Sequence, residues 1–98
     1  MVKIIAVCGA GLGSSFACQM AIEQAMKALN VNAKVSHTDT TTISAIVNEA
    51  DIVVSGKNYQ KLMEKKNLPK PVVFLDRLVD KKEITEKLTP ILKEMGEL

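Results

Sequence analysis

Four short strand-like runs, three of them mostly apolar and β-branched and one loosely alternating, are separated by segments of helical periodicity and constrain the fold more than any other feature. The runs cover residues 2–7, 33–37, 51–55 and 72–75. Strands that are apolar on both faces are typical of parallel sheets covered by helices on each side. Because alternating strands and helices pair through right-handed crossovers, the pattern predicts an α/β fold. We expect a three-layer, doubly wound, four-stranded parallel sheet with strand order 2-1-3-4.

The length, composition and net charge of the chain exclude some classes of function before any motif is considered. With 98 residues, 47% of them hydrophobic and 24% charged, the chain is predicted to fold as one domain over residues 1–98. A net charge of +2, with two phenylalanines and one tyrosine, argues against nucleic acid as a partner. The first apolar run is far shorter than the roughly 20 residues that span a membrane. We therefore expect a cytoplasmic protein without direct membrane insertion.

The first helix is predicted to carry an apolar stripe. Cys18, Ile22, Ala25 and Leu29 recur at steps of four, three and four residues, which places them on one helix face. This face should pack against the sheet. Cys18 is therefore expected to act as a small hydrophobic residue of the core.

Cys8 ends the first strand, at the edge of the sheet where ligand sites form. In a doubly wound sheet the ligand binds beyond the carboxyl ends of the strands, where the strand order reverses. The sequence from Cys8 is C-G-A-G-L-G-S-S, and its two serines are predicted to cap the first helix. The predicted phosphate-binding loop consists of Gly9, Ala10, Gly11, Leu12, Gly13, Ser14 and Ser15.

This loop has the composition of an anion cradle beside a nucleophile. Glycines let backbone N–H groups turn inward, and a helix N-terminus adds about half a positive charge in the same direction. Such a field favours the thiolate, which is the nucleophilic form of cysteine. The same N–H groups and the serine hydroxyls would hold phosphoryl oxygens. The alternative, a cysteine that fills a buried niche, is disfavoured by the three glycines, two serines and helix start that follow Cys8.

Other phosphate-binding motifs fit the loop less well. A dinucleotide site takes G-x-G-x-x-G, but counted from Gly9 its last glycine position is Ser14. A P-loop takes G-K-[ST], and no lysine lies between Val7 and Lys27. A cysteine phosphatase similar to the low-molecular-weight tyrosine phosphatases would carry C-x₅-R, whose arginine clamps the phosphate. Ser14 stands at that position, and the only arginine, Arg77, follows the fourth strand.

The run C-G-A-G-L-G-S-S resembles the IIB components of the phosphoenolpyruvate-dependent sugar phosphotransferase system. It is most similar to the ascorbate-type branch of the lactose/cellobiose IIB-like superfamily, and mannitol-type loops are close as well. The resemblance covers essentially the whole chain, although only the loop motif is specific. It implies that Cys8 accepts a phosphoryl group from a phosphohistidine of a IIA protein. Cys8 would then donate this group to a sugar, ascorbate by loop similarity, bound by a membrane-embedded IIC permease; no cofactor or metal is implied.

A relay that meets two proteins in turn needs exposed docking residues near its cysteine. Phe16 and Met20, one turn apart and off the core stripe, are candidates, and packing against the second or last helix is the alternative. Lys57 could draw in phosphate, or it could simply be solvated. His37, the only histidine, is expected to be structural or exposed. Asp39 is expected to cap the short second helix or to face water.

Two hypotheses from other classes stay open beside the phosphoryl carrier. One is a phosphatase of similar fold that hydrolyses phosphate esters through Cys8. The other is a non-catalytic module whose loop senses an anion. Turnover of a phosphate ester would favour the first, and a Cys8 thiol of ordinary reactivity would favour the second.

Overall fold

The computed structural model describes residues 1–7 and 12–98, and of residues 12–15 the backbone alone. Strands and α-helices alternate along the described chain, and two short 3₁₀ helices lie between them. In chain order the elements are β1 Val2–Val7, α1 Leu12–Ala28, β2 Ala33–Thr38, α2 Ile43–Ile46, the 3₁₀ helix Val47–Glu49, β3 Ile52–Gly56, the 3₁₀ helix Lys57–Tyr59, α3 Gln60–Lys66, β4 Val72–Leu75 and α4 Lys81–Glu94.

The four strands form one parallel sheet with the order β2-β1-β3-β4, which confirms the predicted topology. β1 is therefore an inner strand, and its last residue, Val7, pairs with Thr38 on one side and Ser55 on the other. All five residues of β3 are buried. A strand that is buried on both faces has no polar face to turn to water, which is why β1 and β3 are almost continuously apolar. The edge strand β2 is buried only at Val35 and alternates.

Helices cover the sheet on both faces and give it three layers. Because side chains alternate along a strand, Ile4 and Ile5 of β1 enter opposite cores. The larger core lies under α1 and α4, where Ile22 and Leu88 are completely buried. The smaller core lies under α2 and α3 and includes Met63.

The predicted apolar stripe of α1 is confirmed. Cys18 and Ile22 are completely buried, Ala25 is nearly so, and Leu29 packs partly buried against the same core. The helix stops at Asn30, whose φ of 61° is left-handed. There the N–H of Val31 donates to the carbonyl of Met26 at 2.9 Å, a bond that closes the last turn.

The start of α1 differs from the prediction. The helix begins at Leu12, so Ser14 and Ser15 lie in its first turn and do not precede it as caps. Leucine is a good helix former and a glycine in a first turn costs little, so the helix extends toward Cys8 past Gly13. The first helical turn consequently follows the end of β1 after only four residues.

Two strands are shifted slightly from the prediction. β2 continues to Thr38, and β3 runs one residue later than expected, to Gly56. α4 starts after Asp80, whose carboxylate accepts hydrogen bonds from the N–H groups of Lys82 and Glu83 at 3.0 and 3.3 Å. Within the described residues, no helix is long and apolar enough to cross a membrane.

Candidate functional site

Cys8 is the residue that follows β1, at the carboxyl edge of the sheet. Val7 is completely buried between Thr38 and Ser55, and Cys8 is the next residue. Cys8 itself and residues 9–11 lie outside the described residues, as do the side chains of 12–15. The predicted nucleophile and phosphate-binding loop therefore stay predictions, but their surroundings at the ends of β2, β3 and β4 are described.

The amino end of α1 belongs to these surroundings. The helix starts at Leu12, so its first-turn N–H groups have no acceptor within the helix. The helix dipole places partial positive charge at the same end. Because the connection from Val7 is short, this end lies at the carboxyl edge of the sheet, where its positive charge would stabilise a bound anion.

Phe16 and Met20 lie on the outer side of α1, with 53% and 44% of their surface exposed. They are therefore not buried against another helix, which was the alternative to a docking role. Phe16 contacts the ring of His37 edge-on, with the ring centroids 6.2 Å apart. The Nδ1 of His37 donates to Oε1 of Gln19 at 2.5 Å. His37 is thus exposed and tied to α1, and neither contact was predicted from the sequence.

The turn after β2 is organised by Asp39. Its carboxylate accepts hydrogen bonds from the N–H groups of Thr41 and Thr42 at 2.9 and 2.6 Å, just before α2 begins at Ile43. The bond from Thr42 is the main reason that the pKa of Asp39 is lowered. Asp39 is exposed, as one of its two expected states required, whereas the residue that precedes α2 is Thr42 and makes no side-chain capping bond. The prediction that Asp39 caps the short helix is therefore wrong, and its negative charge is engaged by the backbone donors of its own turn.

The loop after β3 presents a cation. Ser55 is completely buried and its hydroxyl donates to the carbonyl of Gly56 at 3.3 Å. A side chain at Gly56 would come within 2.6 Å of Oδ1 of Asn58, so this residue lets the loop fold closely over the strand end. Lys57 follows, and its Nζ lies 3.5 Å from Oδ1 of Asp76 in the loop after β4.

The loop after β4 is held by Glu83, the third residue of α4. The two carboxylate oxygens accept the N–H groups of Asp76 at 2.6 Å and Arg77 at 2.9 Å, and Lys87 pairs with the same carboxylate at 2.8 Å. Burial opposes ionisation of Glu83, but these donors outweigh it and lower its pKa to about 2. This role of Glu83 was not predicted from the sequence. The spacing of Asp80 and Glu83, which matches a capping box, was the available signal.

The second cysteine is separate from this edge. Cys18 is completely buried in the core under α1, as predicted.

Arg77, the single arginine of the sequence, follows β4, which lies two strands from β1. Asp39, Lys57 and Asp76 thus all follow strand ends at the carboxyl edge of the sheet, the edge at which Val7 ends β1, whereas Cys18 is buried in the core.

Comparison with known proteins gives a consistent result. Residues 3–90 match the family described as the lactose/cellobiose-specific IIB subunit of the PTS system. The chain is 30% identical over 89 residues to the ascorbate-specific PTS system EIIB component of Mycoplasma pneumoniae, covering 91% of this chain and 93% of that protein.

Solved structures agree at the level of the fold. The lactose-specific IIB domain of Streptococcus pneumoniae superposes with a TM-score of 0.62 at 17% identity, covering 94% of this chain and 95% of that one. The solution structure of an uncharacterized protein gives a TM-score of 0.50 at 12% identity, with coverage of 99% and 96%.

Proposed function

The chain belongs to the lactose/cellobiose-specific IIB family of the phosphotransferase system, and from this premise we propose that Cys8 is its phosphorylated residue. IIB components carry phosphoryl groups during sugar uptake and work with IIA and IIC partners. We assign this chain the relay between a phosphorylated IIA protein and a membrane IIC permease. The similarity to an ascorbate-specific component supports ascorbate as the sugar. The whole of residues 1–98 would act as one cytoplasmic IIB domain.

Two displacements at phosphorus make up the proposed reaction. The Cys8 thiolate attacks the phosphorus of a phosphohistidine, so that an S–P bond forms and the N–P bond breaks. The imidazole leaves with the electron pair of the N–P bond and takes up a proton from solvent. In the second step a sugar hydroxyl attacks the same phosphorus and loses its proton to solvent. The S–P bond then breaks and Cys8 is released as the thiolate.

One observation carries the proposal. Val7, the last residue of β1, is held between Thr38 and Ser55 at the carboxyl edge of an inner strand, and Cys8 follows it directly. α1 begins at Leu12, so the helix dipole favours negative charge close to this point. Residues 9–15 are proposed to bind the phosphoryl oxygens through backbone donors, with the hydroxyls of Ser14 and Ser15 as additional donors.

The composition of the loop favours a carrier over a hydrolase. Ser14 occupies the place of the phosphatase arginine, and Arg77 belongs to a loop two strands away from β1. A bidentate arginine stabilises the transition state of attack by water, which would waste the group that a carrier has to pass on. A cradle of backbone N–H groups binds phosphate without that clamp.

Phe16 and Met20 are proposed to contact the partner proteins. Both are half exposed, and Phe16 is the fifth residue of α1, close to the predicted phosphate-binding loop. A protein that delivers phosphate to Cys8 has to approach this end of the helix.

Mass spectrometry tests the proposal directly. The chain is incubated with phosphoenolpyruvate, the general phosphotransferase proteins and a cognate IIA, and one phosphate is expected on the peptide that contains Cys8. Cys8→Ser should abolish a phosphocysteine label, whereas Cys18→Ala, the matched control at the buried cysteine, should keep it. Absence of label from the folded wild-type chain would refute the proposal.

A second assay separates the two other functions. Sustained hydrolysis of a chromogenic phosphate ester, lost in Cys8→Ser, would identify a phosphatase. If Cys8 reacts with iodoacetamide at neutral pH no faster than an ordinary thiol, passive anion sensing becomes the better account.

A further inference from the structure

Lys57 directly follows β3, the strand that pairs with β1. Val7 pairs with Ser55, so Lys57 comes two residues beyond the partner of the last residue of β1. It is the first residue after β3 and begins a short 3₁₀ helix there. A lysine at this place combines a positive charge with a long flexible stem, which lets its ammonium move between partners.

The present partner of this ammonium is weakly bound. Nζ of Lys57 lies 3.5 Å from Oδ1 of Asp76, and 66% and 63% of the two side chains are exposed. Ion pairs with this exposure contribute about 1 kcal/mol or less to stability. Lys57 can therefore leave Asp76 at little cost when a stronger anion is near.

The backbone at Asp76 is held in place by Glu83. Its N–H group and that of Arg77 both donate to the carboxylate of Glu83, which is fixed at the start of α4. The backbone that carries the Asp76 carboxylate is anchored, whereas the Lys57 ammonium sits at the end of a flexible stem. The pair thus holds a cation beside the carboxyl edge of the sheet, toward β4.

We propose that Lys57 is a phosphate-binding residue that exchanges Asp76 for the phosphoryl group on Cys8. The inference rests on the proposed function. A phosphoryl group carries close to two negative charges and a carboxylate carries one, so at equal distance the phosphoryl group attracts the ammonium about twice as strongly. Lys57 forms and breaks no covalent bond in this step; its proton stays on the ammonium.

Such an exchange supplies the charge that the missing phosphatase arginine would have supplied, in a weaker form. A single exposed ammonium lowers the energy of the bound phosphoryl group without the planar bidentate clamp of a guanidinium. Asp76 competes for the same ammonium and limits how strongly the group is held, which keeps its transfer to the sugar favourable.

The test measures the equilibrium of phosphoryl exchange between IIA and this chain, with each protein free in solution. This equilibrium constant does not depend on how the two proteins dock, so it reports on the phosphorylated state itself. Lys57→Gln should lower it by about threefold to tenfold. Lys61→Gln, which removes the same charge from an exposed site on α3, should leave it unchanged. The equilibrium constants of wild type, Lys57→Gln and Lys61→Gln should be compared at low salt and at about 1 M salt. Screening at high salt weakens exposed charges and should reduce the effect of Lys57→Gln.

Asp76→Asn gives the opposite expectation. Without the competing carboxylate, Lys57 should hold the phosphoryl group more firmly and raise the equilibrium constant by about twofold to fivefold. In a Lys57→Gln background the same substitution should have no such effect, because the cation is gone. Equal thermal stability of the variants would confirm that folding is not the cause.

The outcomes distinguish the inference from the function on which it rests. A wild-type chain that accepts no phosphate refutes the proposed function. A wild-type chain that is phosphorylated on Cys8, with Lys57→Gln indistinguishable from Lys61→Gln, overturns the role of Lys57 alone. An Asp76→Asn effect of the same size with and without Lys57 would also overturn it.

Discussion

Replacing Glu83 by glutamine removes the charge that holds the loop after β4. In the native protein its carboxylate accepts the N–H groups of Asp76 and Arg77 and pairs with Lys87. Glutamine has one oxygen for these donors, and its NH₂ group would face the other donors. The substitution therefore breaks part of the network without changing the size of the side chain.

The size of the effect follows from the pKa of Glu83. A fall from 4.5 to about 2 corresponds to about 3 kcal/mol of stability from ionisation, at about 1.4 kcal/mol for each pKa unit. The Glu83 side chain is 14% exposed, so solvent screens part of this energy. We expect Glu83→Gln to lower the free energy of unfolding at pH 7 by about 2 kcal/mol. For a chain of this length that is a shift of the urea midpoint by roughly 1 to 2 M.

The pH dependence makes the prediction specific. Because the pKa is depressed in the folded state, the stabilisation is fully present above about pH 4.5 and is lost as the pH falls toward 2. Urea unfolding of wild type and Glu83→Gln should therefore differ most at pH 7, and by pH 3 the difference should have fallen by more than half. Glu86→Gln, at an exposed position of the same helix, is the matched control and should be nearly neutral. A loss that is equal at both pH values, or no greater than in Glu86→Gln, would refute the reasoning.

Three further predictions concern the core, the end of α1 and the reactive cysteine. Leu88→Ala should destabilise the protein by about 2–5 kcal/mol because it empties a fully buried site, whereas Met95→Ala at a partly exposed position should cost far less; urea unfolding measures both. Asn30→Ala should lower the melting temperature by several degrees and Asn30→Gly should not, because φ at this position is left-handed. Cys8 should react with iodoacetamide at neutral pH faster than an ordinary thiol, and Cys18 should react only after unfolding, as peptide mapping would show. Equal labelling of both cysteines in the native protein would contradict this last expectation.

Much of the fold could be read from the sequence because its signals are local. The strand at Val72–Leu75 has the predicted bounds, and the parallel order follows from the alternation of strands with helices. The predicted start of α1 was wrong because serine is common both at the N-cap and in the first turn, so Ser14 and Ser15 do not exclude a helix that begins at Leu12.

The surroundings of the candidate site were harder to predict, because they are made by contacts between distant elements. Glu83 bonds to N–H groups six and seven residues earlier, on the far side of its own cap, and a capping-box spacing alone points only to the cap. His37 meets Gln19 and Phe16 only because β2 lies under α1, which no periodicity reveals. The role of Cys8 rests on its loop composition and on the family, and it stays a prediction.

In the described loops, three carboxylates have partners that reduce their repulsion of a phosphoryl group. The carboxylate of Asp39 accepts hydrogen bonds from N–H groups of its own turn, and that of Glu83 accepts them from N–H groups of the loop after β4. The carboxylate of Asp76 forms an ion pair with Lys57. Each of these carboxylates is thus matched by a donor or a cation in the unphosphorylated chain. A phosphoryl group on Cys8 would meet the amino end of α1 with these negative charges already engaged, and within the described loops the exposed pair of Lys57 and Asp76 can rearrange at low cost. If that pair is the adjustable part, raising the salt concentration should weaken the phosphorylated state of wild type toward that of Lys57→Gln and leave Lys57→Gln nearly unchanged.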